Sequence, residues 1–273
     1  MGSNVVVVRD RAPYSGTAGL GIFLLGLAPL IYVVAGMLAG FEFSPFIMIF
    51  TIVGVVLLIV SLLAWRAGAW AKVLGILAIL GGGYFTWFQV FGLFEPRAAI
   101  EFTAGAAWIV GALVGLIGCL AALVKGRDAV GGGNGGGLNA IAVVLVLVAA
   151  GASGFLNYSA IEDLDAGDSE TVRTVDFVFE PDEVTVEAGE VTFVVDNDDP
   201  FTHTFTLDAS ETYDDDQYDV NRKLLPLTDA RITFDTPDEA GSYVVFCIPH
   251  STPDDGFDAS ADMPDMFFVL TVE

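Results

Sequence analysis

The chain of 273 residues holds two cysteines and two histidines, and three of those four side chains sit where strand-like sequence meets loop. In "SYVVFCIPHST", Ser242 to Thr252, a run that reads as a buried strand ends in Cys247, Pro249 and His250. His203 opens a second alternating run, "HTFTL", after a polar turn. One loop can aim the Cys247 thiolate and the His250 imidazole at a common point, and a second imidazole at the head of another strand completes a trigonal donor set. Two imidazoles and one thiolate are the set that copper electron-transfer sites use, with a weak thioether as the usual fourth group. Taken alone, Cys247 also reads as a buried inert thiol or as half of an intermolecular bridge, because its half of the chain offers no second cysteine.

Composition separates the parts of the chain that must position these groups. The sequence is 54% hydrophobic with a net charge of −24 and a mean hydropathy of +0.64, too apolar for an ordinary soluble domain and too acidic for a simple membrane bundle. Residues 158–273 hold 30 Asp and Glu against 4 Lys and Arg, whereas residues 1–157 hold 5 against 7. The chain thus divides into an apolar half and an acidic half.

Five stretches of the apolar half run 19 or more residues without a charge: Thr17 to Phe41, Pro45 to Trp65, Val73 to Phe94, Phe102 to Val124 and Leu138 to Leu156. As helices rising 1.5 Å per residue, each can cross a hydrocarbon core of roughly 30 Å. A cleaved leader would explain one such segment, not five. Arg9 and Arg11, then Arg66 and Lys72, then Lys125 and Arg127 fall in alternate loops, while Glu42, Glu95, Arg97 and Glu101 fall in the others. The positive-inside bias therefore places the amino terminus in the cytoplasm and the acidic half outside. Pro29 is expected to kink the first span, and the spacings Gly36 to Gly40 and Gly111 to Gly115 suit close helix approach. The run Gly131 to Gly137, with Asn134 inside it, reads as a flexible linker, since neither a preceding strand nor a following Lys-Ser/Thr supports a phosphate loop. Residues 1–157 contain no histidine and the spans no ionisable carboxylate or amine, which excludes bis-histidine haem and leaves no proton relay in view. Tyr84 and Gln89 are the most polar groups of the third span and read as helix-to-helix hydrogen bonders, and Cys119 reads as a small packing residue.

After an acidic connector the pattern turns to alternation. Val184 and Val186, then Val191, Phe193 and Val195, then Phe205 and Leu207, then Ile232 and Phe234 keep a period of two. Turns around Gly189, Pro200 and Gly241 separate them. About 100 residues of short alternating strands imply a β-sandwich. The parity puts Tyr243, Val245 and Cys247 on one face, and Met266, Phe268, Leu270 and Val272 on one face of the last strand, so Cys247 and Met266 both point inward. The expected domains are a five-helix transmembrane region at 1–158, a linker at 159–171 and an extracytoplasmic β-domain at 172–273.

From about Thr174 to Glu273 the sequence resembles the cupredoxins, the blue copper family of plastocyanin, pseudoazurin and halocyanin-like proteins. Three motifs carry the resemblance: "VTVEAGEVTFVVDNDDPFTHTF", "YVVFCIPH" and "MFFVLTVE". They look like the family's strand, turn, strand and first histidine, its Cys-x-Pro-His, and its closing strand led by the axial methionine. The resemblance implies a Greek-key sandwich with one mononuclear type 1 copper site, held by His203, Cys247 and His250 in the plane and Met266 on the axis. Members with this Cys-x-Pro-His pattern usually carry the methionine a few residues after the second histidine. Here "STPDDGFDASADMPD" intervenes, so Met263 stands as the alternative axial ligand, and Phe268 replaces the family's small residue two positions after the methionine. The acids of the insert, Asp254, Asp255, Asp258, Asp262 and Asp265, read as a solvated loop, since no spacing matches a known calcium loop.

Such a site exchanges single electrons and leaves no open position for bound substrate, so no enzymatic activity is expected. A single cysteine in this half excludes a dinuclear centre bridged by two thiolates. Pro249 has no N–H to offer the Cys247 sulfur, so Pro249→Ala is expected to raise the reduction potential. The expected function is a membrane-anchored single-electron carrier on the outer face of the cell membrane. Its partners would be membrane lipid and extracytoplasmic redox proteins, not nucleic acid. An accessory copper subunit of a larger membrane respiratory complex, docked through the helices, is the alternative, with copper storage or delivery behind it. The acidity of the β half suits a high-salt environment, where screening removes most self-repulsion, and Asp214 to Asp216 read as part of a solvated face.

Overall fold

The computed structural model describes residues 14–38, 45–66, 68–125, 136–158, 169–175, 177–207, 219–248 and 266–273. His250, Met263, Pro249, the acids between 254 and 265, Asp214 to Asp216, Arg9, Arg11, Gly40, Glu42, Arg127 and most of the glycine run lie outside the described residues. The chain divides into two compact units. One comprises Met1–Val33, Pro45–Phe94 and Phe102–Gly151; the other comprises Val34–Ser44, Glu95–Glu101 and Ala152–Glu273.

The helical elements are α1 (Ser15–Leu38), α2 (Pro45–Arg66), α3 (Ala69–Phe85), a 3₁₀ segment Trp87–Phe94, α4 (Ala99–Lys125) and α5 (Gly136–Tyr158). Four of them, α1, α2, α4 and α5, are long and apolar enough to cross a membrane. The count is five if α3 and the 3₁₀ segment, bent by 62° at their junction, form one broken span. The uncharged run Val73 to Phe94 thus differs from the single helix expected of it, and the break has local causes. Three glycines, Gly81 to Gly83, weaken the end of α3. The Thr86 N–H then donates to Gly82 O at 3.1 Å and Gly83 O at 3.3 Å, its hydroxyl donates to Gly82 O at 2.8 Å, and Trp108 Nε1 of α4 donates to that hydroxyl at 2.9 Å.

Within the bundle, α1 is the most buried span and α5 the most exposed, and α1 continues through Pro29. A methyl group at Gly111 would meet Leu25 N at 2.4 Å and Gly21 O at 2.8 Å, so α1 and α4 cross backbone against backbone as the Gly111 to Gly115 spacing suggested. Ser61 Oγ of α2 donates to Gly19 O of α1 at 2.8 Å. Lys72 departs from its reading as a loop charge: it is buried inside α3, and its Nζ donates to Ala64 O near the end of α2. A cation near a helix carboxyl terminus complements the helix dipole. Tyr84 is exposed, and Gln89 is buried with neither amide atom hydrogen-bonded. The helix-to-helix bonds expected of these two are instead made by Trp108 and Ser61. Cys119 is buried in the bundle core.

Among the described residues, the β-domain is a two-layer sandwich of nine strands: β1 (Glu170–Val175), β2 (Val178–Glu180), β3 (Glu183–Val186), β4 (Glu190–Asn197), β5 (His203–Leu207), β6 (Val220–Leu224), β7 (Thr228–Asp235), β8 (Gly241–Phe246) and β9 (Phe267–Val272). One sheet has the order β2-β1-β4-β7, the other β3-β9-β8-β5-β6. Pairs β1/β4 and β3/β9 are parallel, so the chain between the members of each pair leaves the sheet and returns instead of turning in a hairpin. The strand β1 begins inside the stretch read as connector, and β6 carries three exposed polar residues, Asn221 to Lys223, between two buried ones. Inward positions at the expected period of two, Phe193, Val195, Phe205, Leu207, Val245, Phe268, Leu270 and Val272, form one core with Cys247 and Met266. The Phe268 ring fills that core 5.5 Å from Phe179 and 5.7 Å from Phe205.

Candidate metal centre

His203 is the first residue of β5 and keeps the inward parity of Phe205 and Leu207; Cys247 follows the last residue of β8. Because β5 pairs with β8, with Thr206 opposite Phe246, the start of one strand meets the end of the other. Both side chains are fully buried, and Cys247 Sγ lies 3.6 Å from His203 Nδ1. Bond lengths typical of a first-row ion are about 2.0 Å to imidazole and about 2.3 Å to thiolate. With these, the separation closes a triangle with an angle of about 110° at a shared metal. The pair fits one ion. The chemistry also fits copper, for which thiolate and imidazole are suited donors.

Backbone donors hold the thiol in place. The Thr204 N–H donates to Cys247 Sγ at 3.3 Å, the Ile248 N–H donates to Thr204 Oγ1 at 2.9 Å, and the Cys247 N–H donates to Met266 O at 3.1 Å. Met266 is therefore brought beside Cys247 through its backbone, with its side chain buried in the same core. His203, Cys247 and Met266 are thus gathered at one end of the sandwich. His250 and Met263 lie outside the described residues.

On the far side of the imidazole, His203 Nε2 lies 2.7 Å from Asp199 Oδ2, both side chains being wholly buried. The turn carrying Asp199 is pinned by Asn197. Asn197 Oδ1 accepts from Thr174 Oγ1 at 2.7 Å and from the Asp199 N–H at 3.0 Å. Its Nδ2 donates to the carbonyls of Phe201, Leu224 and Leu225. The Phe177 ring meets the imidazole edge-on at 5.7 Å. Asn197, Asp199 and Thr204 were not singled out by sequence. The one available signal, an acid four residues before a histidine, disappears among the neighbouring acids of "DNDDP".

A two-sheet sandwich that buries a cysteine thiol against an imidazole at one end is the arrangement of a cupredoxin domain. Residues 167–253 match the copper binding proteins of the plastocyanin/azurin family, a stretch that takes in His203, Cys247 and His250 and ends before Met263. The β-domain is accordingly a copper-binding cupredoxin domain, preceded by a helical region with several apolar helices. Among solved structures, the chain is similar to amicyanin from Paracoccus versutus at 25% identity, over 41% of this chain and 86% of that one, with a TM-score of 0.29. An oxidised amicyanin variant matches at 20% identity over 41% and 90%, with a TM-score of 0.24. A copper-containing nitrite reductase from Thermus scotoductus matches at 22% identity over 42% and 23%, with a TM-score of 0.24. No curated protein matches the chain.

Proposed function

We propose that the protein is a membrane-anchored type 1 copper protein that passes single electrons on the outer face of the cell membrane and has no substrate chemistry of its own. The observation that carries this reading is the buried contact between Cys247 Sγ and His203 Nδ1 at 3.6 Å, inside the stretch that matches the copper-binding family. Copper bound there supplies one-electron exchange between its two common oxidation states. His203, Cys247 and His250 would hold the copper, with Met266 as a weaker fourth donor or Met263 in its place. Phe177 and the core behind Cys247 keep water from His203 and Cys247, both fully buried. Thr204 holds the sulfur through its N–H and draws electron density from it. His203 heads β5, and Cys247 and Met266 border β8 and β9, so these three donors would rearrange little when the charge changes.

The helical region, residues 1–158, acts as the anchor, joined through 159–171 to the copper domain at 172–273. The bent pair counts as one crossing in this reading. A five-fold crossing sends the basic loops of Arg66 and of Lys125 to the same side as the amino terminus, whereas a re-entrant pair would split them. A second reading, an accessory subunit of a larger membrane complex, rests on the number of apolar helices, since one span suffices for an anchor. A single stoichiometric haem- or copper-containing complex copurifying from native membranes would favour it.

The test is the visible absorption and electron spin resonance of the full chain in detergent after loading with Cu(II). An intense thiolate charge-transfer band, abolished in Cys247→Ser, is expected. Copper bound without that band would overturn the reading.

A further inference from the structure

We infer that Asp199 is a positioning residue for the copper ligand His203: it fixes the imidazole as the tautomer that presents Nδ1 to the metal, and its charge favours the oxidised site. The inference rests on the function proposed above and on the contact described on the far side of the ring. An imidazole has two nitrogens, and a neutral ring carries its proton on one of them. With Asp199 Oδ2 2.7 Å from Nε2, the ionised carboxylate accepts a hydrogen bond only if Nε2 bears the proton. The lone pair is then left on Nδ1, the atom that faces Cys247 Sγ.

The carboxylate is itself held. The same Oδ2 accepts the Phe177 N–H at 3.2 Å, the Asp199 N–H is tied to Asn197 Oδ1, and Asp199 O accepts the Leu227 N–H at 3.2 Å. Three chain segments thus fix an acid that has no exposed surface. A metal-ligating histidine that donates its other N–H to a carboxylate becomes a more basic ligand. A buried negative charge one ring away from the metal also stabilises the more positive oxidation state, and little solvent intervenes to screen it. Both effects lower the reduction potential.

The experiment compares the full-length protein with Asp199→Asn, which keeps size and hydrogen-bonding capacity but removes the charge. With the charge-transfer band retained, the ratio of Cu(II) to Cu(I) affinity is expected to fall about tenfold, an upward potential shift of about 59 mV for one electron. An unchanged ratio in a variant that keeps its band would overturn the inference while leaving the copper carrier intact. A parent protein without the band would instead sink the carrier reading. A second measurement needs no variant and covers the case in which Asp199→Asn fails to fold or to load. The chain has two histidines, so nitrogen-15 histidine labelling of the Cu(I) protein gives two imidazole patterns. The His203 pattern, assigned with His250→Ala, is expected to show the proton on Nε2 in a strong hydrogen bond. A proton on Nδ1, or an Nε2 proton exposed to solvent, would overturn the inference.

Discussion

The helical region and the β-domain both bury polar side chains, but they use them differently. In the helices, Ser61, Thr51 and Lys72 each donate to a carbonyl of their own or a neighbouring helix, and Thr86 donates to Gly82 O while accepting from Trp108, so these bonds are short-range and mostly serve the backbone. In the β-domain, Thr174, Asn197, Asp199 and His203 join in a single chain of contacts that ends on the imidazole beside Cys247. Isolated bonds can be lost one at a time with local consequences. A connected network fails as a unit, and its failure reaches the proposed copper ligands.

Breaking that network should produce the largest effect. Asn197→Ala removes the acceptor for Thr174 and Asp199 and the donor for three carbonyls. Leaving several buried groups unpaired costs at least about 3 kcal/mol, which urea unfolding of the β-domain in the full-length protein would read, together with weaker copper loading. A β-domain of unchanged stability would show that the network is not a unit.

The helical counterpart is a packing change rather than a polar one. In Gly111→Ala the added methyl meets α1 backbone well inside contact distance, so the helices must separate, at a cost of about 1–3 kcal/mol. Lower thermal stability in detergent, with the copper band of the β-domain unchanged, is the expected result. Loss of the band in this variant would blur the contrast between the halves.

The smallest effect sharpens the electrostatic side. Burial, then Asp198 and Asp229, push the Asp196 carboxyl up from 3.8 to about 6. The native state therefore holds its proton more firmly than the unfolded chain does between about pH 4 and pH 6, and stability falls as pH rises through that window. Asp196→Asn should raise the melting temperature at pH 7 by an amount worth less than about 1 kcal/mol, given solvent screening, and should change little at pH 3. Equal effects at both pH values would remove Asp196 as the cause.

Much of the β-domain was legible because period-two alternation survives in β3, β7 and β9, and because Cys247 and His203 are rare residue types in a tell-tale setting. The strand β6 was not, since only its ends are buried, and neither was Asp199, one acid among many. In the helices, hydropathy located the apolar runs but was blind to the break at Thr86. That break depends on a hydroxyl in α3's cap meeting an indole from α4. Charge counting likewise placed Lys72 in a loop, because a list of residues does not show a long side chain folding back onto the preceding helix.

Trp108, whose indole is bound to the bend, belongs with Trp65, Trp70 and Trp87 to the helices, and the β-domain has no tryptophan. Ultraviolet-excited emission from indole therefore monitors the helical region alone, while a thiolate colour would monitor only the sandwich. One cuvette can then follow both melting events separately, with no label attached.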